Sequence, residues 1–126
     1  MKGYFIRSSR VTPSIYFNPL KGIFDMRGKS SPENPLAFYD YVLESLDGYA
    51  ENGKSTMTAN LAFEYFNTSS SKCILDVFKK LEAIHKGGSA VTINWHYEED
   101  DEDMLEAGED YQAIINIPFK MVQVAE

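Results

Sequence analysis

The strongest constraint on this chain is a strand-like and a helix-like segment joined by a run of small polar residues. Met57, Ala59, Leu61, Phe63 and Tyr65 alternate with Thr58, Asn60, Ala62 and Glu64. A period of two sends alternate side chains to opposite faces, so 56–66 predicts a half-buried strand. Cys73, Ile74, Val77, Phe78, Leu81 and Ile84 recur instead at helical spacing, and Gly87-Gly88 ends the run. The expected helix is 70–86. Between the two lies Asn67-Thr68-Ser69-Ser70-Ser71. Hydroxyls are thereby placed where a strand turns into a helix, at the edge of a sheet. A helix start offers unpaired N–H groups and the positive end of a dipole. Two readings of the loop follow. Its Asn, Thr or Ser side chains can cap the helix, or a hydroxyl can carry a phosphate that the N–H groups favour.

The flanking segments extend this unit. Ile15-Tyr16-Phe17 and 23–27 surround Asn18-Pro19-Leu20-Lys21-Gly22, which predicts an antiparallel hairpin with a five-residue turn. Ser30-Ser31-Pro32-Glu33-Asn34-Pro35 opens a helix over 35–51, with Phe38, Val42, Leu46 and Tyr49 on its inner face. Val91, Ile93, Trp95 and Tyr97 alternate with Thr92, Asn94 and His96 in a further strand. A short helix is expected near 102–111. A last strand holds Ile115, Ile117, Phe119 and Met121, with Pro118 pointing to an edge position. The order ββαβαβαβ predicts an α/β fold with a mixed sheet of four or five strands and helices crossing between parallel neighbours. In such sheets the loops leaving the carboxyl ends of parallel strands share one edge, where sites form. Glu33 and Asn34, the Thr68 loop and the start of the acidic block would then make one surface.

Composition narrows the class. A chain of 126 residues with 44% apolar content fits one packed domain over 1–126, with no linker or repeat. The single Cys73 sits on an apolar stripe, which favours a buried thiol and excludes an internal disulfide or a cysteine zinc site. No apolar run approaches the ~20 residues of a membrane span, and the first residues do not read as a signal peptide. A cytoplasmic protein without membrane contact is expected. The net charge of -7 is uneven, because nine of the 19 acids fall between Glu98 and Asp110 with no Lys or Arg among them. That block argues against nucleic-acid binding and is either a solvated face or a surface for a basic partner.

Catalytic and metal motifs fail on context. Gly48 to Ser55 contains two glycines followed by Lys54-Ser55, like a P-loop. A P-loop needs a strand before it and a helix after it, and here the order is reversed. The acidic run lacks the central glycine of a calcium loop. His85 falls near a helix end and His96 faces away from the strand's core side. No nucleophilic triad can be assembled, so neither an enzyme nor a metal or cofactor site is expected.

Three segments in order carry a resemblance. Ser31-Pro32-Glu33-Asn34 precedes the first helix, and Tyr65-Phe66-Asn67-Thr68-Ser69-Ser70 precedes the second. Gly87-Gly88 is then followed by Val91-Thr92-Ile93-Asn94-Trp95-His96-Tyr97. Together they resemble the SiaC family of bacterial regulatory phosphoproteins, from about residue 12 onward. The resemblance implies a STAS-like fold with helices packed on one face of the sheet. It also implies a partner switch. A dedicated protein kinase would phosphorylate Thr68, a PP2C-type phosphatase would reverse this, and the unphosphorylated form would bind and activate a diguanylate cyclase, which makes cyclic di-GMP. The partner-binding residues would be Glu33, Asn34, Asn67, Thr68, Ser69 and Ser70. Two alternatives are a STAS-type anti-sigma-factor antagonist, also switched at Thr68, and a small-molecule-binding domain.

Overall fold

In the computed structural model, which describes residues 2–52 and 56–125, the alternating segments pair into one six-stranded sheet. The elements are β1 (Tyr4–Ile6), β2 (Ser14–Asn18), β3 (Ile23–Ser30), α1 (Pro35–Asn52), β4 (Thr56–Phe66), α2 (Thr68–Lys86), β5 (Ala90–Glu98), α3 (Glu102–Ile114) and β6 (Phe119–Val124). β1, β2 and β3 are antiparallel; β3, β4, β5 and β6 are parallel. Parallel neighbours need crossovers, and α1, α2 and α3 supply them. This is the mixed α/β sheet the periodicities predict.

The period of two sorts the sheet into two faces. Met57, Ala59, Leu61 and Phe63 of β4 join Val91, Ile93 and Trp95 of β5 in the core, beneath the helices. Val42, Leu46 and Tyr49 of α1, and Ile74, Val77, Phe78 and Leu81 of α2, close that core from above. Each such side chain, fully buried, contributes about 1.5–3 kcal/mol of transfer free energy. The opposite face bears polar side chains, among them a ladder in which Asn60 donates to Asp25 (2.8 Å) and Asn94 donates to Asn60 (2.9 Å). His96 lies on this face, with its Nε2 buried and without a hydrogen bond among the described residues; burial, and next Arg27, lower its pKa.

Several boundaries depart from expectation. β1 adds a sixth strand, a three-residue piece too short to carry a periodic signal. α2 begins at Thr68, two residues before the expected start at 70, because Asn67 is its cap. α3 runs on to Ile114. The last strand starts only at Phe119, so Ile115 and Ile117 are buried in the connection before it. Their backbone explains this: the Ile115 N–H donates to the Tyr111 carbonyl, and the Asn116 N–H donates to the Glu82 carboxylate at 2.6 Å. Neither is left for a ladder. β6 is an edge strand, as Pro118 suggests. Gly53, Lys54 and Ser55 of the P-loop-like stretch lie outside the described residues, but a helix precedes them and a strand follows.

Candidate functional site

β3, β4 and β5 all end at one edge of the sheet and all lead into a helix. α1 starts at Pro35, whose fixed φ and missing N–H suit a first helical position. Asn34 caps it, accepting from the Ala37 N–H at 3.2 Å. Asn67 caps α2 in extended conformation, with its side-chain oxygen accepting from the Ser70 N–H at 2.8 Å and its carbonyl from the Ser71 N–H at 3.0 Å. Such a cap is worth about 1 kcal/mol. Asparagine therefore performs the capping that the sequence left open between Asn, Thr and Ser. The hydroxyl of Thr68 is released from that task.

Thr68 and Ser69, the first two residues of α2, are exposed. The hydroxyl of Thr68 and the N–H groups of Thr68 and Ser69 make no hydrogen bond among the described residues. A groove of about 460 Å³ lies in front of them, between the first turns of α1 and α2. Asn34, Pro35 and Leu36 form one wall; Thr68, Ser69, Lys72, Cys73 and Asp76 form the other. Leu36 is 64% exposed, an apolar side chain of that size left in water beside polar neighbours.

Beneath the groove the chain is tightly held. The Asn67 N–H donates to the Ser30 carbonyl at 3.0 Å. Ser30 Oγ donates to Ser70 Oγ at 2.9 Å and accepts from the Tyr39 hydroxyl at 2.7 Å. This buried relay joins the end of β3 and the first turns of α1 and α2. On the far side of α2, the Tyr111 hydroxyl donates to the Ser71 carbonyl at 2.8 Å. Burial raises the pKa of both tyrosines, so each remains a neutral donor. Cys73 is a buried thiol whose pKa burial raises, followed by Asp76 and Asp40, which favours the inert protonated form.

The predicted site residues thus divide. Glu33, Asn34, Thr68 and Ser69 are exposed, and Asn67 is half-buried. Ser70 is fully buried, so its expected place on a binding surface is corrected to one in the floor. The sequence carried that signal, since 70 stands three and four residues before Cys73 and Ile74 on the same stripe. Leu36, Lys72 and Asp76 were missed. They belong to two helices whose first turns meet only in the fold, and Leu36 could have been found as an apolar residue one position after Pro35, off the inner face. The acidic run leaves β5 at the same edge but lines a different cleft, with Glu64, Tyr65 and Phe66 against Asp101 and Asp103. None of 97–103 lines the Thr68 groove. Among the described residues, no cluster of His, Cys, Asp and Glu is arranged to hold a metal, and no helix is long and apolar enough to cross a membrane.

Comparison with known proteins places this geometry. The model of the SiaC family of regulatory phosphoproteins matches residues 6–124. An uncharacterised protein of Pseudomonas aeruginosa (strain UCBPP-PA14) is 30% identical over 119 residues, 94% of each chain. SiaC of Pseudomonas aeruginosa superposes with a TM-score of 0.90 at 28% identity, over 98% of this chain and 100% of that one. SiaC crystallised with the diguanylate cyclase SiaD, which it activates, superposes equally well (TM-score 0.90, 29% identity, 96% of this chain and 99% of that one). The order of strands and crossover helices thus agrees with a match over nearly its whole length, and the chain belongs to the SiaC family of regulatory phosphoproteins.

Proposed function

We propose that this protein is a non-enzymatic regulator that binds and activates a diguanylate cyclase, and that phosphorylation of Thr68 turns the interaction off. The observation that carries the reading is the close superposition on SiaC bound to the cyclase SiaD. It favours a cyclase partner over an anti-sigma factor. The geometry around Thr68 supports a switch there. Its hydroxyl is exposed and unpaired, and the adjacent free N–H groups favour a negative group without any refolding. The groove beside it, with exposed Leu36 and polar walls that include Asn34 and Ser69, is a docking surface of the right kind. Glu33 and Asn67 stand at its margins.

The switch works at the interface. A phosphate adds about -1.5 to -2 charges, and a partner seated on the groove would have to desolvate them. Leaving an ion buried and unpaired costs several kcal/mol. Moving a complex from almost fully bound to almost fully free takes about 5.5 kcal/mol, so one phosphate is of the right order. A protein kinase acting on Thr68 and a PP2C-type phosphatase complete the cycle.

The test mixes a diguanylate cyclase from the same organism with wild type, Thr68→Ala, Thr68→Asp and protein phosphorylated at Thr68. Cyclic di-GMP production and binding are both measured. Wild type and Thr68→Ala should bind and activate. Thr68→Asp should bind at least about tenfold more weakly, a change of 1.4 kcal/mol, and the phosphorylated form weaker still. Equal binding by all four forms would overturn the switch.

A further inference from the structure

The Thr68 groove contains a cation with no task. Lys72 is exposed and its side chain makes no hydrogen bond or ion pair among the described residues. It lines the groove together with Thr68 and stands one helical turn beyond it on α2. Residues at this spacing lie on the same helix face with Cβ atoms about 5–6 Å apart, within reach of a lysine ammonium and a phosphate on the threonine. Lys72 is also the only cation among the described residues that line the groove, where the other charged side chain is Asp76, also on α2.

Direction along the helix decides which acid Lys72 serves. An acid four residues before a lysine pairs better than one four residues after it. A phosphate on Thr68 stands in the favoured position, and Asp76 stands in the unfavoured one. The phosphate also carries nearly twice the charge of a carboxylate and three acceptor oxygens. In the unmodified protein Lys72 leaves Asp76 unpaired, consistent with that order of preference.

We propose that Lys72 is the built-in counter-ion of phosphorylated Thr68. The inference rests on Thr68 being the phosphoacceptor, and it adds a second consequence to the modification. The unmodified groove presents a free ammonium to a partner. Phosphorylation adds negative charge and withdraws that ammonium at once, so a partner that offers an acid to Lys72 loses an attraction as well as meeting a repulsion. The pair also holds the phosphate along α2, where it blocks the groove.

The test uses the full chain with phosphothreonine incorporated at position 68 during synthesis, so that no kinase is needed. Phosphorus NMR follows the second ionisation of the phosphate, ordinarily near pH 6, at low salt. The wild type should titrate lower than Lys72→Gln by about 0.3 unit or more. Lys72→Arg should keep the low value, and Asp76→Asn should not raise it. Lys79→Gln, two turns along the same helix, controls for the loss of one positive charge. Circular dichroism verifies that each variant is folded. Equal values in wild type and Lys72→Gln overturn the proposal, as does an equal rise in Lys79→Gln. Neither result would touch the Thr68 switch itself, which stands or falls on cyclase binding by phosphorylated and unmodified protein.

Discussion

The first turn and the middle of α2 rest on different chemistry. The first turn lies over hydroxyls: Ser70 on Ser30, Ser30 on Tyr39, and the Ser71 carbonyl on Tyr111. The middle lies over rings. Phe78 packs at 4.9 Å from Tyr111 and 5.5 Å from Phe119, and Trp95 stacks on Phe119 at 6.3 Å. Apolar contact is strong and non-directional, so it stabilises without fixing an atom's position. Hydrogen bonds contribute only about 0.5–1.5 kcal/mol net, but they demand defined distances and angles. The rings hold the domain together, and the hydroxyls aim the segment that carries Thr68. Tyr111 takes part in both.

The aromatic region should show the largest effect. Trp95 is fully buried, its indole N–H donates to the Met104 carbonyl at 3.0 Å, and it abuts Gly108, where an added Cβ would collide with it. Trp95→Ala should lower stability by about 3–5 kcal/mol, measured by chemical denaturation. A loss below about 1 kcal/mol would remove the contrast between the two regions.

Alkaline titration tests the tyrosines that serve the two regions. Tyr39 and Tyr111 have their pKa raised by burial. In the unfolded chain they ionise near pH 10, whereas in the fold they keep their protons. Their stabilisation is therefore complete below about pH 10 and is lost as pH rises above it, by up to about 1.4 kcal/mol per pH unit for each. Tyr39→Phe should make the slope shallower, with Tyr111 and the half-buried Tyr4, whose pKa burial also raises, supplying the rest. A flat stability profile between pH 9 and 11 would contradict both assignments.

Ser30→Ala removes the centre of the relay and strands its two partners, at a cost of about 1–3 kcal/mol. The sharper readout is local. Hydrogen exchange of the Ser70 and Ser71 amides should speed up more than that of Val77 or Phe78. Uniform acceleration would mean that the hydroxyls only stabilise. Asn67→Ala, the smallest change, should cost about 1 kcal/mol and weaken cyclase binding beyond what that loss of stability accounts for. Unchanged binding would show that aiming α2 does not matter to the partner.

Legibility in the sequence followed the same division. β4, α2 and β5 were readable because each repeats its period several times over one environment. Thr68 at a strand-to-helix turn was readable for the same reason. Ile115 and Ile117 show where that logic misleads. They alternate with Phe119 and Met121 like a strand, yet the acceptors that claim the backbone there are helical, Tyr111 in the last turn of α3 and Glu82 on α2, 34 residues away in sequence from Asn116. Ser70 was misplaced because a hydroxyl beside Thr68 and Ser69 reads as surface unless the apolar stripe is extended one turn backward. The groove itself could not be read, since its two walls come from segments more than 30 residues apart in the sequence.

The strands lie side by side in the order in which they occur in the chain, from β1 to β6. Every new strand therefore docks on the one just laid down, and no strand waits for a distant segment to be inserted beside it. Loop-closure cost rises with the length of chain enclosed, so this arrangement keeps each step cheap and favours rapid assembly for a parallel sheet. During synthesis the sheet could grow from one edge toward the other, each crossover helix covering the pair that has formed. The Thr68 loop comes at the midpoint of that sequence, but Tyr111, which clasps the helix behind it, comes near the end. A modifying enzyme that recognises the clasped shape would thus act on finished molecules and pass over nascent ones.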